Sequence, residues 1–161
     1  MSVNKFRPHV FVLSEDDANR EIANGFLLEP SLNERAIQVL PPSGGWTNVL
    51  NDFKNNQVGE MSKYLSRYII LLIDFDQRED RLTKVRTVIP DYLADRVFVL
   101  GVLSVPEDLR KAGLGNLEAI GKDLARECRE STDITWRHEL LRHNAEELRR
   151  MTPILKPILF P

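Results

Sequence analysis

The chain is almost without cysteine: Cys128 is the single one among 161 residues. That excludes an intramolecular disulfide framework and any multi-cysteine zinc or iron–sulfur site. Only three histidines are present, and His9, His138 and His143 have neither metal-ligand nor triad spacing. An excess of one charge is missing as well. With 22 basic and 24 acidic residues the formal net charge is −2, so no global field attracts nucleic acid, although a local basic patch is compatible with that balance. No apolar run approaches the ~20 residues of a membrane span. The longest, Tyr68 to Ile73, runs straight into aspartate. The first residues, Met-Ser-Val-Asn-Lys-Phe-Arg-Pro, lack the apolar core of a signal peptide, so a cytoplasmic protein with no membrane attachment is expected.

The apolar fraction of 42% and charged fraction of 29% are those of a soluble globular protein, and the length fits one domain spanning 1–161. A chain of this size buries about two-thirds of its unfolded surface, enough to fold without a covalent or metal staple.

Four runs rich in β-branched and aromatic residues recur: His9–Leu13, Ala36–Leu40, Tyr68–Ile73 and Arg96–Leu103. Nearly continuous apolar runs are characteristic of strands buried on both faces. Between them lie amphipathic segments. Residues 17–28 set Ile22, Ala23, Phe26 and Leu27 at helical spacing, Thr47–Phe53 does so with Val49, Leu50 and Phe53, and the stretch from Asp80 does so with Leu82, Val85 and Ile89 before Pro90. This alternation predicts an α/β fold, a mostly parallel four-stranded sheet with helices on both faces. The core covers 8–110, and 111–161 form a helical C-terminal extension, with helical spacing at Leu117, Ile120 and Leu124 and again at Trp136, Leu140, Leu141 and Leu148. Cys128 falls at the apolar spacing of this extension and reads as a core residue. Three prolines in the tail, Met151–Pro161, argue against one regular helix there. The tail's Ile154, Leu155, Ile158, Leu159 and Phe160 are too apolar to stay in solvent and are expected to pack on the body, on a protein partner or on a second copy.

In a parallel α/β sheet, ligands bind at the carboxyl ends of the strands. The first strand ends in Ser14-Glu15-Asp16-Asp17 and the third in Asp74-Phe75-Asp76. Adjacent central strands would bring these acids together, where they repel and raise one another's pKa unless a cation intervenes. Oxygen ligands of this type suit Mg²⁺ or Mn²⁺. Asp74 and Asp76, two apart on extended backbone, project to one side and are candidate metal ligands. Asp16 is a further candidate, and so is Glu107 in Ser-Val-Pro-Glu-Asp-Leu after the fourth strand. Glu15 is the candidate general acid or base. Asp16, Asp17 and Asp76 are also natural helix caps. Ser43, Gly44 and Gly45, opening a helix after the second strand, are candidate phosphate binders through their backbone N–H groups, or simply a tight turn. Arg78, Arg81, Lys84 and Arg86 either reach phosphates at this edge or form a solvated helix face.

Glu15 in Phe-Val-Leu-Ser-Glu-Asp-Asp, and Asp74 and Asp76 in Ile-Leu-Leu-Ile-Asp-Phe-Asp, resemble the glutamate and Asp-x-Asp of the Toprim domain, the Mg²⁺-binding fold of topoisomerases, bacterial primases and overcoming-lysogenization-defect nucleases. The Pro-Pro-Ser-Gly-Gly-Trp turn and the Val-Phe-Val-Leu strand with its trailing Pro-Glu-Asp-Leu resemble the nuclease-type members. The resemblance spans about 8–110. It implies Mg²⁺-dependent phosphoryl transfer on DNA or RNA, with Glu15 as acid–base and the aspartates holding metal. No Gly-x-x-x-x-Gly-Lys-Ser/Thr is present, so the ATPase module fused to many such nucleases is absent from this sequence. The opening Phe-Val-Leu-Ser-Glu-Asp-Asp also resembles response-regulator receiver domains, which would make Asp74 a phosphoacceptor and Ser104 a switch hydroxyl. The receiver's Lys-Pro after a fifth strand is missing, since Lys122 lies in a helical pattern before Asp123. A non-catalytic α/β partner-binding subunit is the third reading.

Overall fold

The computed structural model of the chain describes every residue except Met1 and Glu79. Its strands are β1 (His9–Ser14), β2 (Ile37–Val39), β3 (Arg67–Leu72) and β4 (Val97–Leu100). They form one all-parallel sheet in the order β2-β1-β3-β4, so the two longest strands are central, and their apolar runs suit burial on both faces. The registers His9↔Arg67 and Ser14↔Leu72 run β1 and β3 side by side over their full lengths, which brings their carboxyl ends out together.

Helices cover both faces. Val10, Val12, Ile70, Phe98 and Leu100 face α1 (Asp17–Phe26), α5 (Pro106–Lys111), α6 (Leu117–Glu130) and α7 (Ala145–Leu159). Phe11, Leu13, Ile69, Leu71 and Val99 face α2 (Trp46–Asp52), α3 (Val58–Lys63) and α4 (Asp80–Val88). The alternation along each strand is the period-2 pleat, with both sides apolar. On the first face α1 and α6 cross very closely. A Cβ on Gly121 would stand 2.0 Å from the Ile22 carbonyl oxygen, and one on Gly25 2.1 Å from that of Glu118. Only hydrogen side chains permit that approach.

Several expectations are corrected. The helix after β2 does not stop at Phe53: a π turn over Phe53–Gln57 joins α2 to α3, so the helical course reaches Lys63. The fourth strand ends at Leu100, and the segment from Trp136 to Leu141 is a set of turns rather than helix. Those turns are fastened by the buried Glu127, whose Oε1 accepts from the N–H groups of Thr135 (2.7 Å) and Trp136 (3.3 Å). The tail is helical through Leu159 in spite of its prolines. Pro153 and Pro157 both lie on the exposed face of α7, so the carbonyls they leave unpaired face water.

Residues 111–161 are not an appendage. Leu155 and Leu159 are buried in the same cluster as Val10 and Phe98, and Ile154, Ile158 and Phe160 pack against it. The tail's apolar side chains therefore complete the chain's own core, which removes the ground for assigning them to a partner or a second copy. Asn144, just before α7, and Glu147 in its first turn also close the open edge of β4. Asn144 accepts from Gly101 N–H (3.1 Å) and donates to its carbonyl (2.9 Å), while Glu147 Oε2 accepts from Val99 N–H (2.9 Å). Side chains thus take the place of a neighbouring strand along this edge. No helix among the described residues is long and apolar enough to cross a membrane.

Candidate functional site

The acids from the ends of β1 and β3 do meet. Glu15 follows Ser14, the last residue of β1, and its Oε2 accepts from the backbone N–H of Asp74 at 2.7 Å. Asp74 is 6% exposed and its Oδ1 accepts from Asn19 Nδ2 at 2.8 Å. The same Asn19 amide donates to Asp16 Oδ1 at 2.9 Å, and Asn19 N–H donates to that oxygen at 3.0 Å. Asp16 is therefore the N-cap of α1, and through Asn19 it is also tied to Asp74. Asp76 follows on left-handed backbone, φ 49°, with Gln77 at φ 58°. Two successive non-glycine residues in that region are costly and are held by contacts around them. Asp76 N–H donates to the Ser104 carbonyl (3.3 Å) and Gln77 N–H to that of Leu103 (2.6 Å).

One cation serves this cluster. Arg81 Nη1 donates to the Asp74 carbonyl (2.7 Å) and to Asp76 Oδ2 (2.6 Å), and its guanidinium lies 4.6 Å from the centre of the Trp46 ring. Arg81 is itself 6% exposed, so it is a fixed brace and not a solvated side chain. Four carboxylates against one guanidinium leave the site short of positive charge. Burial raises Asp74 to about 7, Asn19's hydrogen bond opposes that rise, and the charges of Glu15, Asp16 and Asp76 add to it. Glu15 is raised too, first by burial and then by Asp16 and Asp76, against the Asp74 N–H and Arg81. Along the same edge Ser14 Oγ, Asn19 Oδ1 and Ser104 Oγ are buried with no partner among the described residues. Unpaired buried oxygens are costly and uncommon, and they call for an explanation where they cluster.

The other candidates fare differently. The N–H groups of Gly44 and Gly45 donate to the Glu15 carbonyl (2.9 and 3.0 Å), and that of Ser43 to the Ser14 carbonyl (3.0 Å). This loop consequently braces Glu15; of the two readings open for Ser43, Gly44 and Gly45, the engaged N–H groups favour the tight turn over the phosphate cradle. The positive φ values of Gly44 (87°) and Gly45 (122°) are the turn that makes this possible. Glu107 is exposed in the first turn of α5 and is not bonded to the other acids. Arg78 and Lys84 pair with Asp80, and Arg86 pairs with Glu147. Of the four cations in that stretch, only Arg81 reaches the acids. Cys128 is half-buried, its thiol pushed up by burial to about 11, and takes no part.

Asn19 was not legible as a site residue, and Arg81 was legible only as one of four cations able to reach this edge. The available signal for Asn19 is a polar residue on the stripe of Ile22, Ala23 and Phe26, where an apolar one is expected. An apolar cavity of about 100 Å³ lies between the sheet and α1, α6 and α7, and it touches the site at Asn19. No protein-family model, curated protein or solved structure matches this chain.

As the side chains stand, no three or more His, Cys, Asp or Glu among the described residues form a metal-holding group. Among the described residues, each carboxylate nonetheless has one oxygen without a hydrogen-bond partner: Glu15 Oε1, Asp16 Oδ2, Asp74 Oδ2 and Asp76 Oδ1. Mg²⁺ keeps several waters and uses one or two carboxylates, so this all-oxygen set fits a hydrated divalent ion and not a dry protein cage.

Proposed function

We propose that the acidic edge is a divalent-cation-dependent phosphoryl-transfer site acting on the phosphodiesters of DNA or RNA, as the Toprim resemblance implies. Asp74 with Asp76 or Asp16 would hold Mg²⁺ or Mn²⁺, and Glu15 is the general acid–base. The observation that carries this reading is the burial of Asp74 among three further carboxylates with Arg81 as the one bonded cation. A bound ion would supply the missing positive charge and polarise a phosphoryl oxygen. The chain's own groups do the remainder. Glu15, anchored through Oε2, has Oε1 free to take a proton from an attacking water and return it to the leaving oxygen. Its raised pKa suits a group that must both accept and release a proton. Asn19 and Arg81 hold the aspartates in place while that happens.

A receiver-like role is less well supported. The outer edge of β4, where a fifth strand would add, is closed by Asn144 and Glu147. The test is a cleavage panel of single- and double-stranded DNA and RNA with Mg²⁺ or Mn²⁺, comparing the native protein with Glu15→Ala and Asp76→Ala. Metal-dependent cleavage lost in both variants is expected. No cleavage of any substrate with Mn²⁺ would overturn the reading, and acetyl-phosphate labelling of Asp74 would replace it with the receiver one.

A further inference from the structure

The opposite end of the sheet carries a different charge pattern. Arg67, the first residue of β3, is 2% exposed and lies beside His9 of β1. Its Nε donates to His9 Nε2 (3.1 Å) and its Nη1 to Gln57 Oε1 (3.0 Å) in the π turn, both neutral acceptors. His9 Nε2 must be unprotonated to accept from Arg67, so the ring is neutral with its proton on Nδ1, 2.8 Å from the Arg7 carbonyl. The guanidinium sits 4.2 Å from the centre of the Phe11 ring and 5.0 Å from that of Tyr64. Tyr64 also carries two ammonium groups, Lys63 Nζ at 5.3 Å and Lys5 Nζ at 5.7 Å. Among the described residues, Lys5, Lys63 and Arg67 form no ion pair. Glu60 is the carboxylate whose charge Arg67 feels.

Apolar surface adjoins these cations. Phe6 is 90% exposed and stands edge-on to Tyr64 with ring centres 6.3 Å apart; Leu65, next in sequence to Tyr64, is 75% exposed. Neither segment is loose. Asn4 Oδ1 accepts from Phe6 N–H (3.1 Å), and Asn4 N–H donates to the Arg35 carbonyl (3.2 Å). Arg96 Nη1 donates to the carbonyls of Tyr64 (3.3 Å) and Leu65 (3.1 Å). A flat aromatic ring held in solvent beside three unpaired cations matches a stacked base with its phosphates. A peptide of acidic residues alone offers the charge but no flat partner for Phe6.

We infer that the amino-terminal edge of the sheet, built on Phe6, Tyr64, Lys5, Lys63 and Arg67, is a binding surface for single-stranded nucleic acid. A base stacks on Phe6, and the ammonium groups of Lys5 and Lys63 meet phosphates. Arg67, fully enclosed, contributes its field and holds the Tyr64 ring without touching the strand. This surface lies at the other end of β1 and β3 from the acids, about 20 Å away at ~3.3 Å per residue. Its existence does not depend on cleavage.

The experiment is fluorescence anisotropy of labelled oligothymidylate in EDTA, which removes any metal-dependent reaction. Phe6→Ala is expected to weaken binding about 5- to 150-fold and Phe6→Trp to keep it. Lys5→Ala with Lys63→Ala should reduce the slope of log K against log salt by about 1.4. Because these residues are exposed, unchanged melting of each variant will show that the fold is kept. Equal affinity of Phe6→Ala and native protein would overturn the inference, and so would oligoglutamate displacing the oligonucleotide at equal charge. Binding that follows these variants in a protein that never cleaves would sink the nuclease reading and leave this one standing. Cleavage in a protein whose affinity ignores Phe6 would do the reverse.

Discussion

Replacing Asp74 by asparagine is expected to make the metal-free protein more stable, against the usual effect of changing a buried, hydrogen-bonded residue. Asp74 titrates at about 7 in the fold because it is buried beside Glu15, Asp16 and Asp76, whereas in an unfolded chain a carboxyl ionises near 3.9. The folded state therefore holds this proton more tightly than the unfolded one. The favourable contribution is complete below about pH 4 and is lost as pH rises towards about 7, so ionised Asp74 weighs against folding at neutral pH. At about 1.4 kcal/mol per pH unit, the ceiling is about 4 kcal/mol at pH 8 and about 1.5 kcal/mol at pH 5. Asparagine removes the charge and keeps an oxygen for Asn19 Nδ2, while the Arg81 bond goes to the backbone carbonyl and is untouched. Urea denaturation in EDTA should thus give Asp74→Asn the greater unfolding free energy. The gap should be wider at pH 8 than at pH 5, by up to about 2.5 kcal/mol. Adding Mg²⁺ should stabilise the native protein by about 1.4 kcal/mol at ten times its Kd and leave the variant unmoved. A destabilised Asp74→Asn, or a gap that ignores pH, would refute the argument that this carboxylate is held in place at a cost.

Three other outcomes are expected. Glu147→Ala should cost about 1–3 kcal/mol in denaturant melts, because it leaves the Val99 N–H buried and unpaired, while Arg86 and Arg150 stay partly solvated. Gly121→Ala should lower stability by about 1–3 kcal/mol or more, since the atoms its Cβ would strike are backbone of α1; a neutral result would show that α1 and α6 can part freely. Cys128, with its thiol raised to about 11, should resist iodoacetamide at pH 8 in the folded protein and react on unfolding, so mass spectrometry after a labelling pulse reports the folded fraction.

The four strands, their parallel arrangement and the helices on both faces were legible because continuous apolar runs and helical spacing are local properties of the chain. The meeting of Glu15 with Asp74 followed from them, since each acid directly trails a strand and the two strands are central neighbours. Local rules failed where neighbours distant in sequence decide the outcome. Three prolines argued against a helical tail, yet α7 persists because Pro153 and Pro157 face water while Leu155 and Leu159 are buried. The Ser43–Gly45 loop admitted both an anion cradle and a tight turn, and only the folded chain puts its N–H groups on the carbonyls of Ser14 and Glu15.

What the amino-acid sequence determined on its own is a parallel α/β domain with acids at the ends of β1 and β3, because period and order along the chain are enough for that. Tertiary structure alone decided which groups hold those acids. Asn19 and Arg81 reach them from helices α1 and α4, and Asn144 and Glu147 close β4 from across the molecule. Such contacts depend on where helices land on a sheet, and side-chain spacing within one helix carries no record of the surface it will meet.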